Sequence, residues 1–208
     1  MKRTLLAALM VCITLALTGC GDGGGGPLPA IVTQISSDSA LDGDIFKDTL
    51  TPPAFTITQS MRPTVQSVFA GIDATPVTGG EFRAFLNFNL GGVPLNALID
   101  SAFLDLFVTS DISGFIPVSI DLVSFSALTP GDFNSAFRAT ITTTLFIPQA
   151  NIQQQVTIDV TPLMAEAQRL GLPDLQVRIL CGAGIIEIDD RTGIDRSSFA
   201  PLLDVAYF

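Results

Sequence analysis

"EFRAFLNFNLGGVPLNALIDSAFLDLFVTS", residues 81–110, reads as two strands around a turn. In its first third Phe82, Ala84, Leu86, Phe88 and Leu90 fall on one face, and Arg83, Phe85, Asn87 and Asn89 on the other. A period of two marks an extended strand that lays one face on a core. Ala102, Leu104, Leu106 and Val108 repeat the pattern, and the glycines and proline of "GGVP" at 91–94 reverse the chain between the two stretches.

The same alternation continues outward along the chain. It runs through Ile116, Val118, Ile120 and Leu122, and again through Phe137, Ala139, Ile141, Thr143, Leu145 and Ile147. Shorter strands are expected at 55–58, 65–72, 155–160, 175–181, 184–188 and 202–208, with turn formers at 78–80, 129–132 and 171–174. Many short strands at regular spacing predict an all-β fold, a jelly-roll-like antiparallel β-sandwich. One segment breaks the period. "TPLMAEAQRLGLP" predicts a short helix near 162–170, with Thr161 as cap, Pro162 in the first turn and Gly171 with Pro173 beyond its end. Residues 30–54 are polar and turn-rich and are expected to be a lead-in that supplies an edge strand, so the sandwich proper spans 55–208.

Composition narrows the chemistry. With 48% hydrophobic residues among 208, the chain has the material for a core, and a formal charge of −10 gives no electrostatic grip on nucleic acid. Histidine is absent, which excludes Ser/His and Cys/His catalysis and removes the commonest nitrogen ligand for metals. Tryptophan is absent too, and Tyr207 is the single tyrosine.

At the front, Met1, Lys2 and Arg3 precede "LLAALMVCITLAL" at 5–17. As a helix this apolar run spans about 20 Å, short of the roughly 30 Å hydrocarbon core, and so fits the core of a signal peptide. The boundary Leu17, Thr18, Gly19, Cys20 resembles the bacterial lipobox. That resemblance implies that Leu17, Thr18 and Gly19 are recognition positions, that 1–19 is a removed signal peptide, and that Cys20 is acylated and holds the exported protein on a membrane. Gly21 after the cysteine, where aspartate would resemble an inner-membrane retention signal, implies the outer membrane in a two-membrane cell; the cell membrane is the alternative. Removal of 1–19 takes Lys2 and Arg3 with it and leaves 8 basic against 20 acidic residues, a charge of −12. Residues 20–29, "CGDGGGGPLP", read as a tether, since glycines lack side chains to pack and prolines forbid helix.

The run 83–106 also resembles the opening of the DNRLRE-type domain, a bacterial jelly roll near the carbohydrate-binding modules. Arg83, Phe85, Phe88, Leu90, Val93, Pro94, Ala97, Ile99, Ala102, Leu104 and Leu106 stand in matching order. "VTIDVTPLM" resembles its Asp-Val-Thr segment through Asp159, Val160 and Thr161, and "PLLDVAYF" its closing strand through Pro201, Leu203, Val205 and Tyr207. The resemblance implies a non-catalytic β-sandwich.

Three roles follow as expectations. The first is a binding or adhesion module at the cell envelope, with polysaccharide as ligand; Phe85, Phe103 and Phe107, opposite the inward face of their strands, are its available aromatics. The second is a structural component that packs against another envelope protein or another copy of itself. Catalysis is not expected: it would need paired carboxylates such as Glu187, Asp189 and Asp190, which also read as a solvated strand end. No cofactor is expected beyond a structural calcium, whose candidate ligands are Asp189, Asp190 and Asp195, or Asp38, Asp42 and Asp44, as oxygen-rich loops suit a hard cation. Cys181, in line with Leu175, Val177 and Ile179, reads as a small core residue.

Overall fold

A computed structural model describes residues 30–59, 67–76, 79–191 and 199–208; the lipobox residues Leu17, Thr18, Gly19 and Cys20 and the tether lie outside them. The chain forms β1 (Ile31–Ser36), β2 (Gly43–Asp48), β3 (Phe55–Gln59), β4 (Ser67–Asp73), β5 (Gly80–Asn89), β6 (Ile99–Ser110), β7 (Gly114–Leu122), β8 (Ala139–Ile147), β9 (Gln154–Asp159), α1 (Thr161–Arg169), β10 (Asp174–Cys181), β11 (Ile185–Asp189) and β12 (Leu202–Tyr207). It is an all-β, antiparallel, jelly-roll-like sandwich with one short helix.

The twelve strands form one folded-over sheet. One layer runs β9-β6-β12-β1 and the other β3-β2-β5-β10-β7-β8. β11 and β4 bridge them: β11 pairs with the far end of β6 at Val108–Ser110, and β4 pairs with the first residues of β5. The corner needs glycine. Gly71 has φ +139°, and a β-carbon there would fall 2.0 Å from the Gly184 carbonyl oxygen.

Between the layers lie the side chains whose alternation defines the strands. Ala102, Leu104, Leu106 and Val108 of β6 join one buried cluster with Ala84, Leu86 and Phe88 of β5 and Ile116, Val118, Ile120 and Leu122 of β7. Burying one such side chain contributes about 1.5–3 kcal/mol. Helix α1 buries Leu163, Met164 and Ala167 against this cluster, and Gly171, at φ +63°, ends it. Thr161 does not cap the helix as expected. Its hydroxyl accepts a bond from the Ala102 N–H (2.9 Å), which ties α1 to β6, while Asp159 accepts from the Thr161 N–H (2.9 Å).

Two features depart from the expected outline. The segment 30–54 supplies β1 at an edge, paired with β12, but also β2, which enters the second layer between β3 and β5 and buries Ile45. The second is a lid over the outer face of that layer. Residues 123–135 cross β5 and β10, and Val123, Leu128 and Phe133 enclose Phe85 and Ile45 in a separate cluster. The "TPGD" turn lies in this lid as a 3₁₀ turn (Pro130–Asn134), with the Thr129 N–H donating to Asp132 (2.8 Å). Of the three outward phenylalanines, Phe85 is therefore covered, whereas Phe103 remains 39% exposed and Phe107 half-buried.

Candidate functional site

Strand β11 alternates as its sequence dictates: Ile186 and Ile188 enter the core, and Glu187 and Asp189 face outward. The pairing of β11 with β4 brings Ser67 opposite Asp189, and its pairing with β6 brings Thr109 opposite Glu187. The turn after β8 adds Asn151 and Gln153. Together with Arg191 these side chains line a polar groove of about 370 Å³.

Within it, the Ser67 hydroxyl donates to Glu187 (2.6 Å) and the Gln153 amide to Asp189 (2.7 Å). Arg191 grips Asp189 through Nε (2.9 Å) and Nη2, and its backbone N–H donates to the same carboxylate (3.0 Å). Burial pushes the Asp189 carboxyl up, but these bonds outweigh it and hold the group below its ordinary range, so it is a fixed anion. The Arg191 guanidinium also lies over the Phe199 ring (5.3 Å), and Phe199 meets Phe107 edge-on with centroids 4.7 Å apart. An aromatic shelf thus adjoins the groove, on the outer face of β6 that also carries Phe103, Asp105 and Thr109.

Among the described residues, the candidate aspartates take separate partners. Asp190 turns away from Asp189 and lies hydrogen-bonded to Asp42, and both are buried. Asp195 is outside the described residues. Asp38 accepts from the Ala40 N–H (3.0 Å) in its own turn, Asp42 from Asn87 (2.7 Å) and Asp44 from Phe69 (3.3 Å). Among the described residues, no group of three or more His, Cys, Asp or Glu is placed to hold a metal ion. Cys181 is buried, and burial pushes its thiol up to about 11, away from reactivity at neutral pH. A second cleft, about 540 Å³, is lined by Lys47, Asp48, Ile72, Asp73 and Glu81 among others.

The groove offers both halves of a hydrogen-bonding set. Glu187 and Asp189 accept, Arg191 donates, and the amides and hydroxyls of Asn151, Gln153, Ser67 and Thr109 do either. The sequence singles out Glu187 and Asp189 as members of a carboxylate group at a strand end. Ser67, Thr109, Asn151, Gln153 and Phe199 carry no such signal, because strand pairing, not spacing, gathers them.

Fold and groove together define an all-β sandwich with a polar surface site beside an aromatic shelf. No family model matches the chain, and no curated protein matches it. Among solved structures, a chain from the structure of infectious bursal disease virus Gx strain is similar over 90% of this chain, at 13% identity and a TM-score of 0.27. The match spans 40% of that viral chain's length. Among the described residues no helix is long and apolar enough to cross a membrane.

Proposed function

We propose that this chain is a cell-envelope lipoprotein, exported and acylated at Cys20, whose sandwich binds polysaccharide without catalysis. The observation that carries the binding role is the groove itself: mixed donors and acceptors on β4, β6 and β11 and on the turns beside them, adjoining the Phe107–Phe199 shelf. A sugar ring needs both, hydrogen bonds for its hydroxyls and an apolar surface for its C–H face. The Asp189–Arg191 ion pair, gripped at both ends, keeps donors and acceptors oriented before a ligand arrives, which lowers the cost of binding. The order of charged start, apolar run, "LTGC" and glycine tether supports the anchor. More than one acyl chain makes such anchoring stable.

A glycan array probed with the Cys20→Ser form tests the binding role. Wild-type residues in the groove should give binding to at least one polysaccharide class, and Glu187→Ala with Arg191→Ala should weaken it by about tenfold or more, since bonds to charged groups contribute roughly 1.5–3 kcal/mol each. Absence of glycan binding, together with a defined protein partner crosslinked in intact cells, would overturn the polysaccharide reading in favour of a structural one.

A further inference from the structure

The second layer ends in β8, and among the described residues nothing pairs with its free edge. This edge is nine residues long, against six in β1 and β9 and five in β3. Its sequence, ATITTTLFI, holds no charge and no proline, two devices by which an edge is ordinarily kept from pairing. The outward Thr140, Thr142, Thr144 and Phe146 are exposed, and Phe115 and Pro117 of β7 extend the same uncharged surface. Phe115 is 76% exposed and Phe146 58%, their ring centroids 5.0 Å apart. Large aromatics seldom stay in water on an otherwise polar face without a partner.

We infer that β8 pairs antiparallel with β8 of a second copy of this chain, so that the sheet runs on through a two-fold axis at Thr143. The strand is nearly palindromic about that residue. Thr143 would meet itself, Thr142 would meet Thr144, Ile141 Leu145, Thr140 Phe146 and Ala139 Ile147. Inner-face aliphatics then oppose aliphatics, and the outer face pairs threonine with threonine or with phenylalanine, as a self-matching interface requires. Charge favours the same edge. Copies of a chain with net charge −10 repel over most of their surface, and the β7–β8 face is a strip where they approach without like charges meeting. Helix α1 packs against the inner side of β8 near Arg138, whose charge acts on Glu166, and leaves the Thr142–Phe146 part of the outer face open. This pairing is independent of the groove and of its ligand.

Sedimentation equilibrium on the full chain carrying Cys20→Ser tests it with two double variants. Thr142→Lys with Thr144→Lys sets lysine against lysine twice across the axis, and the dimer should dissociate about tenfold or more readily. Thr142→Lys with Thr144→Glu sets lysine against glutamate twice and should restore dimerisation, while both variants melt as the parent does because both positions are exposed. A monomeric parent, a dimer indifferent to the lysine pair, or a lysine–glutamate variant as weak as the lysine pair would each overturn the inference.

Discussion

Replacing Arg178 with methionine is expected to destabilise the protein by about 3–5 kcal/mol, a drop readable as a lower urea midpoint. Arg178 sits on the outer face of β10, where the sequence pattern places residues in water, yet it is 3% exposed. Its guanidinium meets Asp121 on the neighbouring β7 through Nη2 (2.6 Å) and Nε (3.1 Å). The remaining Nη1 donates to the carbonyls of Phe133 (3.1 Å) and Ser135 (3.0 Å), which lie in the lid. Removing the cation strands the Asp121 carboxylate, itself 5% exposed, without its partner and unties the lid from Phe85, and both effects act in one direction. Changing Asp121 to leucine in the same molecule should recover much of the loss, because the pair's desolvation cost then disappears along with its attraction. A single-variant loss below about 1 kcal/mol, the range of exposed pairs, would contradict a buried role for this arginine.

The second large effect is on pH dependence. Burial, with Asp190 adjoining, pushes the Asp42 carboxyl up to about 8, and burial pushes Asp44 up to about 7. In the unfolded chain both ionise near 4. Between those values the folded state keeps protons that the unfolded state gives up, so stability falls as pH rises. The contribution of each carboxyl is fully present below about pH 4 and fades through pH 7 to 8, at roughly 1.4 kcal/mol per pH unit. Between about pH 4 and 8, above the range in which the ion-paired carboxylates titrate, these two carboxyls should make the protein lose stability as pH rises. Asp42→Asn keeps an acceptor for the Asn87 N–H and a donor toward Asp190 but cannot ionise. Its stability should match wild type near pH 3, below the unfolded pKa, and exceed it at pH 9 by about 3 kcal/mol or more. Parallel pH curves for variant and wild type would contradict a protonated Asp42.

Those two predictions concern residues that the sequence pattern hides. Alternation in β5, β6, β7, β8 and β10 is legible because each of these strands presents one continuous apolar face to a single core. The helix is legible because Pro162 and Gly171 punctuate it. Strand β2 is obscured: Asp42, Asp44, Lys47 and Asp48 make the segment read as a polar loop, and Ile45 is buried by the lid cluster instead of the main core. The lid itself breaks the rule that alternate residues face water. Asn87, Gln176, Arg178 and Asp121 lie on outward positions and are buried nonetheless, satisfied by one another and by lid backbone, as in the Gln176 bonds to Asn87 (2.8 Å) and to the Phe125 N–H (2.9 Å). At the groove, the sequence marks Glu187, Asp189 and Asp190 together as paired carboxylates at a solvated strand end. Tertiary structure separates that trio and supplies Ser67, Thr109 and Gln153 from three other segments.

Sedimentation of membranes with a labelled polysaccharide, chosen from the array, joins the anchor and the groove in one measurement. Membranes from cells making the wild-type chain should carry both protein and polysaccharide into the pellet. With Cys20→Ser both should move to the supernatant if the proposed acylation is the tether, since a chain of net charge −10 has no electrostatic hold on anionic lipid. A Cys20→Ser protein that stays with the membranes, or wild-type membranes that retain no more polysaccharide than membranes lacking the protein, would contradict a lipid-tethered polysaccharide-binding sandwich.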